Sequence, residues 1–452
     1  MQAMVQEQST LSLFSREWRN LSIGAVGLCS MIAFEAIGVA TGMPAVAAAL
    51  DGVPLYALAF AGTLAGSVVA MVWSGQDCDR HGPYRSMALG MLLFALGLLM
   101  AGMAASMAVL VAGRVVQGLG VGALVVALYV ATARALPAAL HPRLFALFSS
   151  AWVVPAVIGP AISGWIVVHL GWRWLFLGIV LMLLPTAGLI LPPLRVADKA
   201  VESPDVSPYV LWWALLAAFA SVTLSVSAYA GSLAPLVVSI ALCCVVTAAA
   251  RLLPRGTLRL ARGLPTVIAL RGINSAAFFL CEAFIPLWLQ QQRGWSITSA
   301  GVALTGGALC WSIGSHLQSR MHHEPVRRAW LGRGSAMVFA GIAVCLATVL
   351  GLLPDWVILV GWSAAGLGVG LALPMLSVLT LKLAPREQQG TCASALQLCA
   401  ALCTSAALAA GGLLFSMLQA RWPIRAFASV FVLALVISAT ASISAQRAYP
   451  AR

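Results

Sequence analysis

Between two long apolar runs the chain reads Gly75-Gln-Asp-Cys-Asp79-Arg80-His-Gly82-Pro-Tyr-Arg85. A short loop between two antiparallel membrane-spanning helices needs glycine for a tight turn. Asp79 can pair with the positive end of a neighbouring helix, while arginines hold such a loop at the cytoplasmic face. We predict a loop motif that acts in conformational change, and the alternative is an ordinary basic loop. Its residues are Gly75, Asp79, Arg80, Gly82 and Arg85.

The composition around this loop excludes a soluble protein. Of the 452 residues, 61% are hydrophobic and only 9% are charged, whereas a soluble domain carries about 25% charged residues. A membrane-spanning helix needs about 20 apolar residues, and we identify fourteen such runs. They lie at about 21–50, 54–75, 86–107, 109–134, 144–170, 174–194, 208–229, 233–251, 265–290, 298–319, 333–353, 356–380, 391–417 and 426–446.

The basic residues indicate how these runs are oriented. With the N-terminus inside, 20 of the 26 Lys and Arg residues fall in inside loops and four in outside loops, and Arg114 and Arg271 fall within runs. This bias predicts a multi-pass protein of the cell membrane with both termini cytoplasmic. The net charge of +13 is therefore interpreted as a topology signal, and we expect no nucleic-acid partner.

The runs group as six, two and six. We therefore predict an all-α integral membrane protein with 14 transmembrane helices, built as two six-helix bundles with two extra helices between them. A polar stretch with Asp198, Lys199, Glu202 and Asp205 follows the first bundle. The predicted boundaries are a cytoplasmic tail at 1–20, a bundle at 21–196, a linker with two additional helices at 197–263, a bundle at 264–446 and a cytoplasmic tail at 447–452.

The fourth run holds Arg114-Val-Val-Gln117-Gly118-Leu-Gly120-Val-Gly122. A buried arginine is costly in hydrocarbon, and glycines four residues apart permit close helix packing. We predict that Arg114 and Gln117 act in proton coupling or substrate binding. The alternative is that Arg114 reaches the membrane interface.

The fifth run contains two prolines and two glycines that predict a kinked helix. Pro155 and Pro160 each remove a backbone donor, while Gly159 and Gly164 permit close contact. We predict that these four residues form a helix-kink motif with a part in transport. A purely structural kink is the alternative.

Taken together, the three segments resemble signatures of the major facilitator superfamily. Phe34-Glu35 and Met43-Pro44 resemble the first-helix signature of its fourteen-helix drug:proton antiporter branch, with Glu35 where aspartate is usual; Pro155 likewise replaces a usual glycine. The resemblance is sharpest over about residues 30–180, and Arg293-Gly-Trp-Ser296 is a further match. It implies two six-helix bundles that rock around a central cavity, and it implies export in exchange for protons.

Only two of the 13 carboxylates lie well within apolar runs, Glu35 in the first and Glu282 in the ninth. Burial in a bilayer disfavours the charged form of a carboxyl group, so such a group can bind a proton from one side and release it to the other. Ionised, it can instead attract a cationic substrate. We predict Glu35 as the main proton-coupling or substrate site and Glu282 as a second one, and the alternative is a carboxyl satisfied by a neighbouring helix.

Other side chains could line the cavity. The candidates are Asn274, Trp288, Trp311 and Gln397, because an unpaired amide is costly in lipid and an indole ring can stack on a ligand. Packing between helices is the competing explanation for each. We interpret His322-His323 as a solvated pair and the ten cysteines as small packed hydrophobes, and we expect no metal site and no cofactor.

The function predicted is that of a secondary active transporter, which is not an enzyme. The leading hypothesis is a proton-coupled antiporter of multidrug efflux type that exports amphipathic or cationic small molecules and acts as a monomer. The alternatives are a dedicated exporter of one metabolite, such as a siderophore or antibiotic, and a proton-coupled uptake symporter. From a different class, a channel or a non-transporting membrane sensor remains. No phosphate-binding Gly-x-x-x-x-Gly-Lys-Ser/Thr segment supports an ATP-driven pump.

Overall fold

The computed structural model describes residues 12–52, 55–197, 209–295, 297–321 and 324–449. This part of the chain forms fourteen α-helices, which match the fourteen predicted runs in number and order. The helices are α1 Arg19–Ala49, α2 Tyr56–His81, α3 Pro83–Gly102, α4 Met107–Ala135, α5 His141–His169, α6 Trp174–Ala197, α7 Tyr209–Val226, α8 Ala234–Leu252, α9 Leu264–Arg293, α10 Ile297–Ser319, α11 Glu324–Val349, α12 Val357–Leu383, α13 Gln389–Leu418 and α14 Pro423–Ser444.

A membrane-spanning segment of this kind is helical, because in the hydrocarbon core each backbone N–H and C=O must form its hydrogen bond within its own segment. Among the described residues, thirteen helices are long and apolar enough to cross a membrane. Local signals set several helix ends. Ser106 accepts a hydrogen bond from the Val109 N–H at the start of α4, and Pro83 starts α3, where its missing donor costs nothing.

The first compact unit contains the chain up to Leu211 together with Ala384–Ser394. In it, α4 packs between α2 and α3, α1 packs against α5 and α6, and α3 also contacts α6. The short segment at 384–394 includes the first turn of α13.

The second compact unit contains Trp212–Leu383 and the chain from Ala395 onward. Here α12 packs between α10 and α11, while α14 packs against α9 and α11. Most of α7 and all of α8 fall in this unit. The domain boundaries given above stay a prediction.

A repeated glycine pattern explains why the two units pack alike. The pentapeptide Gly-Leu-Gly-Val-Gly occurs at 118–122 in α4 and again at 366–370 in α12. A Cβ at Gly118 would collide with the Thr63 backbone in α2, and one at Gly366 would collide with the Gly307 backbone in α10. Each central helix therefore reaches its neighbour backbone to backbone, which only glycine allows.

Two predicted boundaries were wrong. The stretch 76–85, predicted as a loop, is helical except at Gly82, whose φ of 80° and ψ of 176° make the turn. The run predicted from 333 begins as α11 at Glu324, because helices continue beyond the apolar core once their polar residues reach water. Seven residues discussed above lie outside the described residues: Asp198, Lys199, Glu202, Asp205, Ser296, His322 and His323.

Substituting Gly118 with alanine tests the close packing. We expect Gly118→Ala to lower the apparent melting temperature of the purified protein, since overpacking against a backbone costs about 1–3 kcal/mol. Gly188→Ala in α6 is the matched control, because a Cβ there meets nothing within 4 Å. The control should be neutral or stabilising. Equal behaviour of the two variants in a detergent melting assay would contradict the packing account.

Candidate functional site

Three predicted residues meet inside the first unit. The Arg114 guanidinium in α4 donates through Nη1 to a Glu35 carboxylate oxygen in α1 and to Gln117 Oε1, the latter at 2.8 Å. Arg114 Nε also donates to the Ala59 carbonyl of α2 at 3.2 Å. Glu35 is 3% exposed and Arg114 is 4% exposed. The cluster is therefore a buried ion pair with two neutral acceptors beside it.

The local sequence explains why this cluster forms. Arg114 and Gln117 are three residues apart, so they share one face of α4. Gly118 brings α2 against that helix, which places the Ala59 carbonyl within reach of Arg114. Gln117 Nε2 is buried and has no hydrogen-bond partner within the described part of the chain. One donor thus remains available beside the ion pair.

The electrostatic stability of this buried pair depends on the presence of both charges. Two charges taken out of water are tolerated when they are paired and hydrogen-bonded, and removing one partner leaves a costly buried charge. A proton on Glu35 would cancel the anion, and Arg114 would keep only the neutral oxygens of Gln117 and Ala59. Loss of either charge would therefore leave the other without its counter-ion.

The kink motif lies on α5, which packs along α1. Pro155 and Gly159 are buried, Pro160 is exposed and Gly164 is half-buried. A Cβ at Gly159 would make only ordinary contact with Ile37 of α1, and one at Gly164 would meet nothing within 4 Å. Close approach therefore does not require glycine at these two positions.

Beside this motif, Ser163 is fully buried on α5. Its hydroxyl has no hydrogen-bond partner among the described residues. A Cβ at Gly38 of α1 would lie 2.6 Å from the Ser163 oxygen, so glycine at position 38 makes room for it. Ser163 was not among the predicted site residues, although its place next to Gly164 in the motif was a usable signal.

The loop motif makes a defined contact at Asp79. Its carboxylate accepts hydrogen bonds from the Gly390 N–H at 2.5 Å, the Thr391 N–H at 2.8 Å and the Thr391 hydroxyl at 2.6 Å. These donors belong to the first turn of α13, where backbone N–H groups lack partners inside the helix. Asp79 therefore sits at the positive end of α13. Gly75 packs against the same turn, because a Cβ there would lie 2.6 Å from Ser394 Cβ.

Asp77 is a motif residue that the sequence reasoning missed. It accepts from His81 Nδ1 at 3.0 Å and from the Ser86 hydroxyl at 2.8 Å, and Arg85 Nε lies 3.5 Å away. These contacts join the end of α2 to the start of α3 across Gly82. A usable signal was the four-residue spacing of Asp77 and His81, which places both on one helix face. Arg80 is half-buried near this turn.

The second unit replaces the ion pair with an aromatic stack. Trp362 of α12 occupies the position that corresponds to Arg114 of α4. Each follows a glycine and lies four residues before the start of the Gly-Leu-Gly-Val-Gly pentapeptide. The Trp362 ring stacks on Phe278 of α9 with centroids 4.3 Å apart. Its indole Nε1 donates to the Leu304 carbonyl of α10 at 3.3 Å. Of these two corresponding positions, the one in α4 carries a charged side chain and the one in α12 does not.

The remaining predicted residues all lie in the second unit. Glu282 is half-buried on α9 and makes no hydrogen bond or ion pair within the described residues. Asn274 donates to the Leu270 carbonyl at 2.8 Å and leaves its own Oδ1 without a partner there. Gln397 accepts from Arg271 at 3.3 Å.

The two predicted tryptophans differ in their surroundings. Trp288 is buried, with the Arg293 guanidinium 5.0 Å from its ring centroid, so it is a packing residue. Trp311 is half-buried beside Phe278 and Phe279, and its Nε1 has no partner in the described part of the chain. The latter therefore keeps the features expected of a ligand contact.

A bundle of apolar helices with buried polar clusters defines a multi-pass membrane protein. The sequence profile of the Major Facilitator Superfamily matches residues 23–348, more than half of the chain. The chain therefore belongs to the Major Facilitator Superfamily. This is a family of membrane transporters of small molecules and not of enzymes.

Individual relatives agree with this membership. A probable multidrug-efflux transporter of Mycobacterium tuberculosis is 28% identical over 355 residues, which cover 74% of each chain. Among solved structures, the human organic anion transporter MFSD10 has a TM-score of 0.70 at 14% identity and covers 93% of this chain and 99% of its own. The proton:xylose symporter XylE has a TM-score of 0.67 at 12% identity, with 94% of each chain covered. At these identities the structures show the shared fold alone.

Neutralising either member of the ion pair tests its energetic coupling. We expect Glu35→Gln and Arg114→Gln each to destabilise the protein by about 3–5 kcal/mol, because each leaves a buried charge without its partner. The double variant should be less destabilised than the sum of the two, which a double-mutant cycle of detergent melting curves measures. Additive losses would show that the two charges do not interact.

Removing the carboxylate at Asp79 tests the contact with α13. We expect Asp79→Ala to destabilise the protein by about 0.5–2 kcal/mol, the usual cost of losing a helix cap. Glu17→Ala, at an exposed glutamate just before α1, is the control for loss of one negative charge. A Thr391→Val variant should reproduce part of the Asp79→Ala loss. No loss at Asp79 in a thermal melt would contradict the contact.

Proposed function

We propose that this transporter is a proton-coupled antiporter of multidrug efflux type, which exports amphipathic or cationic small molecules. The observation that carries the proposal is the buried Glu35–Arg114 ion pair, in which Glu35 is the one acidic residue of α1 and α4. The carboxylate is already paired with Arg114, so either a proton or a cationic substrate would have to take the place of that partner. Proton and cationic substrate would exclude each other there, and mutual exclusion at one site is the requirement of antiport.

The contacts of Arg114 suggest how protonation could be tolerated. When Glu35 is ionised, Arg114 neutralises it. When Glu35 takes up a proton, Arg114 retains hydrogen bonds to Gln117 Oε1 and the Ala59 carbonyl, which limits the cost of the unpaired guanidinium. Gln117 Nε2, which has no partner among the described residues, could then donate to the neutral carboxyl group.

The proposed direction of transport, which is export, is supported by resemblance to known transporters. The Mycobacterium tuberculosis relative is named as a probable multidrug-efflux transporter, and Pro155, Gly159, Pro160 and Gly164 stand in the segment that resembles the antiporter signature. A dedicated exporter of a single metabolite would use the same ion pair and differ in its cavity. The two are distinguished by the range of compounds to which a deletion strain becomes sensitive.

The setting of this function follows from the charge pattern. The excess of Lys and Arg in alternate loops supports a place in the cell membrane with both termini in the cytoplasm. The proton gradient would supply the energy, with no cofactor, and a single chain would carry out transport.

Transport of a cationic dye into inverted vesicles tests the proposal. Wild-type protein should accumulate ethidium when the lumen is made acidic, and accumulation should fall as the gradient is dissipated. Glu35→Gln should lose this pH dependence, because an amide takes up no proton in the working range. Initial rates of dye uptake at a series of imposed pH differences measure the effect.

The control is Glu387→Gln, at an exposed glutamate of the short 3-10 helix Arg386–Gln388 between α12 and α13. It should transport as the wild type does, and the amount of each variant in the membrane is to be matched by immunoblot. Uptake by Glu35→Gln that keeps the wild-type pH dependence would overturn the assignment of Glu35.

A further inference from the structure

We infer that Arg271 of α9 forms an anion-binding subsite, which selects transported molecules that carry a carboxylate at one end and an aromatic group at the other. This inference rests on the proposed function, because it names a substrate class for the same transporter. Among the amphipathic substrates of that transporter, it favours those that carry a carboxylate over their uncharged counterparts.

The first argument is that the Arg271 guanidinium is poorly satisfied. Arg271 is half-buried, and its Nε is buried without a hydrogen-bond partner in the described part of the chain. Nη2 donates to Gln397 Oε1 at 3.3 Å and Nη1 donates to the Leu373 carbonyl at 3.4 Å. Both distances exceed the 2.7–3.2 Å that is usual for N–H···O bonds.

The Leu373 carbonyl is also shared. It accepts the Ser377 hydroxyl at 3.1 Å, so Arg271 competes for an oxygen that already has a donor. Gln397 is a neutral amide. The guanidinium, which presents five donors in a fixed fork, therefore has weak contacts and capacity to spare.

The second argument is the lack of a compensating acid. Within the described residues of the second unit, Arg271 makes no ion pair. Asp355 is engaged by Arg293 at 2.8 Å, and Glu282 lies eleven residues along α9, about 16 Å away along the axis. The other arginine deep in an apolar run, Arg114, has Glu35 as its counter-ion. An arginine inside the membrane region marks a functional site when no structural partner explains it.

The third argument is that a pair of aromatic side chains lies further along α9. Phe279 follows Arg271 by eight residues, which is about 12 Å of rise with less than a quarter turn of rotation. It is half-buried and contacts the half-buried Trp311, with ring centroids 6.2 Å apart. The Trp311 Nε1 has no partner in this part of the structure. A cation and a pair of half-buried aromatic rings thus occur at a separation that one elongated molecule can span.

The chemistry of the guanidinium group favours a carboxylate as the ligand. Arginine binds a carboxylate through two parallel N–H···O bonds, which are stronger than bonds to neutral acceptors. A carboxylate placed there would replace the two long contacts and supply the missing counter-charge. An ester or amide of the same molecule would have no charge to offer, although its aromatic group would fit equally well.

Equilibrium binding of a matched pair of fluorescent probes tests the inference. The probes are dansyl-phenylalanine, which carries a carboxylate, and its methyl ester, which does not, titrated against the purified full-length protein in detergent. Wild-type protein should bind the acid at least tenfold more tightly than the ester. Arg271→Gln should weaken binding of the acid about tenfold to a hundredfold, as expected for loss of hydrogen bonds between charged groups, and leave ester binding unchanged.

Two further variants separate this role from a structural one. Arg271→Lys keeps the charge but loses the fork, so its preference for the acid should be intermediate; it also serves if Arg271→Gln fails to fold in a thermal melt. Arg251→Gln, at an exposed arginine of α8, should bind both probes as the wild type does.

Several results would overturn the inference. They are wild-type protein that does not bind the acid, equal binding of acid and ester, or a loss that is the same for both probes in the Arg271 variants. Binding is measured without a proton gradient. A failure of proton-driven transport with acid binding intact would therefore refute the proposed antiport and leave the anion subsite standing.

Discussion

The buried ion pair between Glu35 and Arg114 is the contact on which the organisation of the first unit depends. Hydrocarbon tolerates a charge only when a partner neutralises it, so α1 and α4 must meet at this level. A glycine of α4 adds a further acceptor to the pair, since Gly118 lets α2 approach until the Ala59 carbonyl reaches Arg114. Packing and chemistry are therefore set by the same few residues of one helix.

The second unit shows what the same packing does without the charge. It repeats the glycine pentapeptide and the arrangement of a central helix between two neighbours. In place of the charged pair of the first unit, the second unit has Trp362 at the position that corresponds to Arg114, and the Trp362 ring stacks on Phe278. Two similar scaffolds thus carry different chemistry, one a buried ion pair and the other an aromatic stack.

Much of this could be predicted from the sequence, because apolar runs and glycine spacing report directly on helices in lipid. The count and order of the helices and the family were predicted correctly. Helix ends were not, since residues 76–81 are polar but continue α2 until Gly82 turns the chain. The partners of Asp79 could not be predicted, because Gly390 and Thr391 lie more than 300 residues away. Arg271 was seen only as a charge within a run, and its unpartnered Nε needed coordinates.

The central claim is that Glu35 changes its protonation state beside Arg114. Infrared difference spectroscopy of the reconstituted protein tests it most directly, because a protonated carboxyl group has a C=O stretching band that the carboxylate lacks. On acidification, the wild type should gain a component of this band that is missing in Glu35→Gln and retained in Glu282→Gln. A difference spectrum that is the same in wild type and Glu35→Gln would contradict the claim.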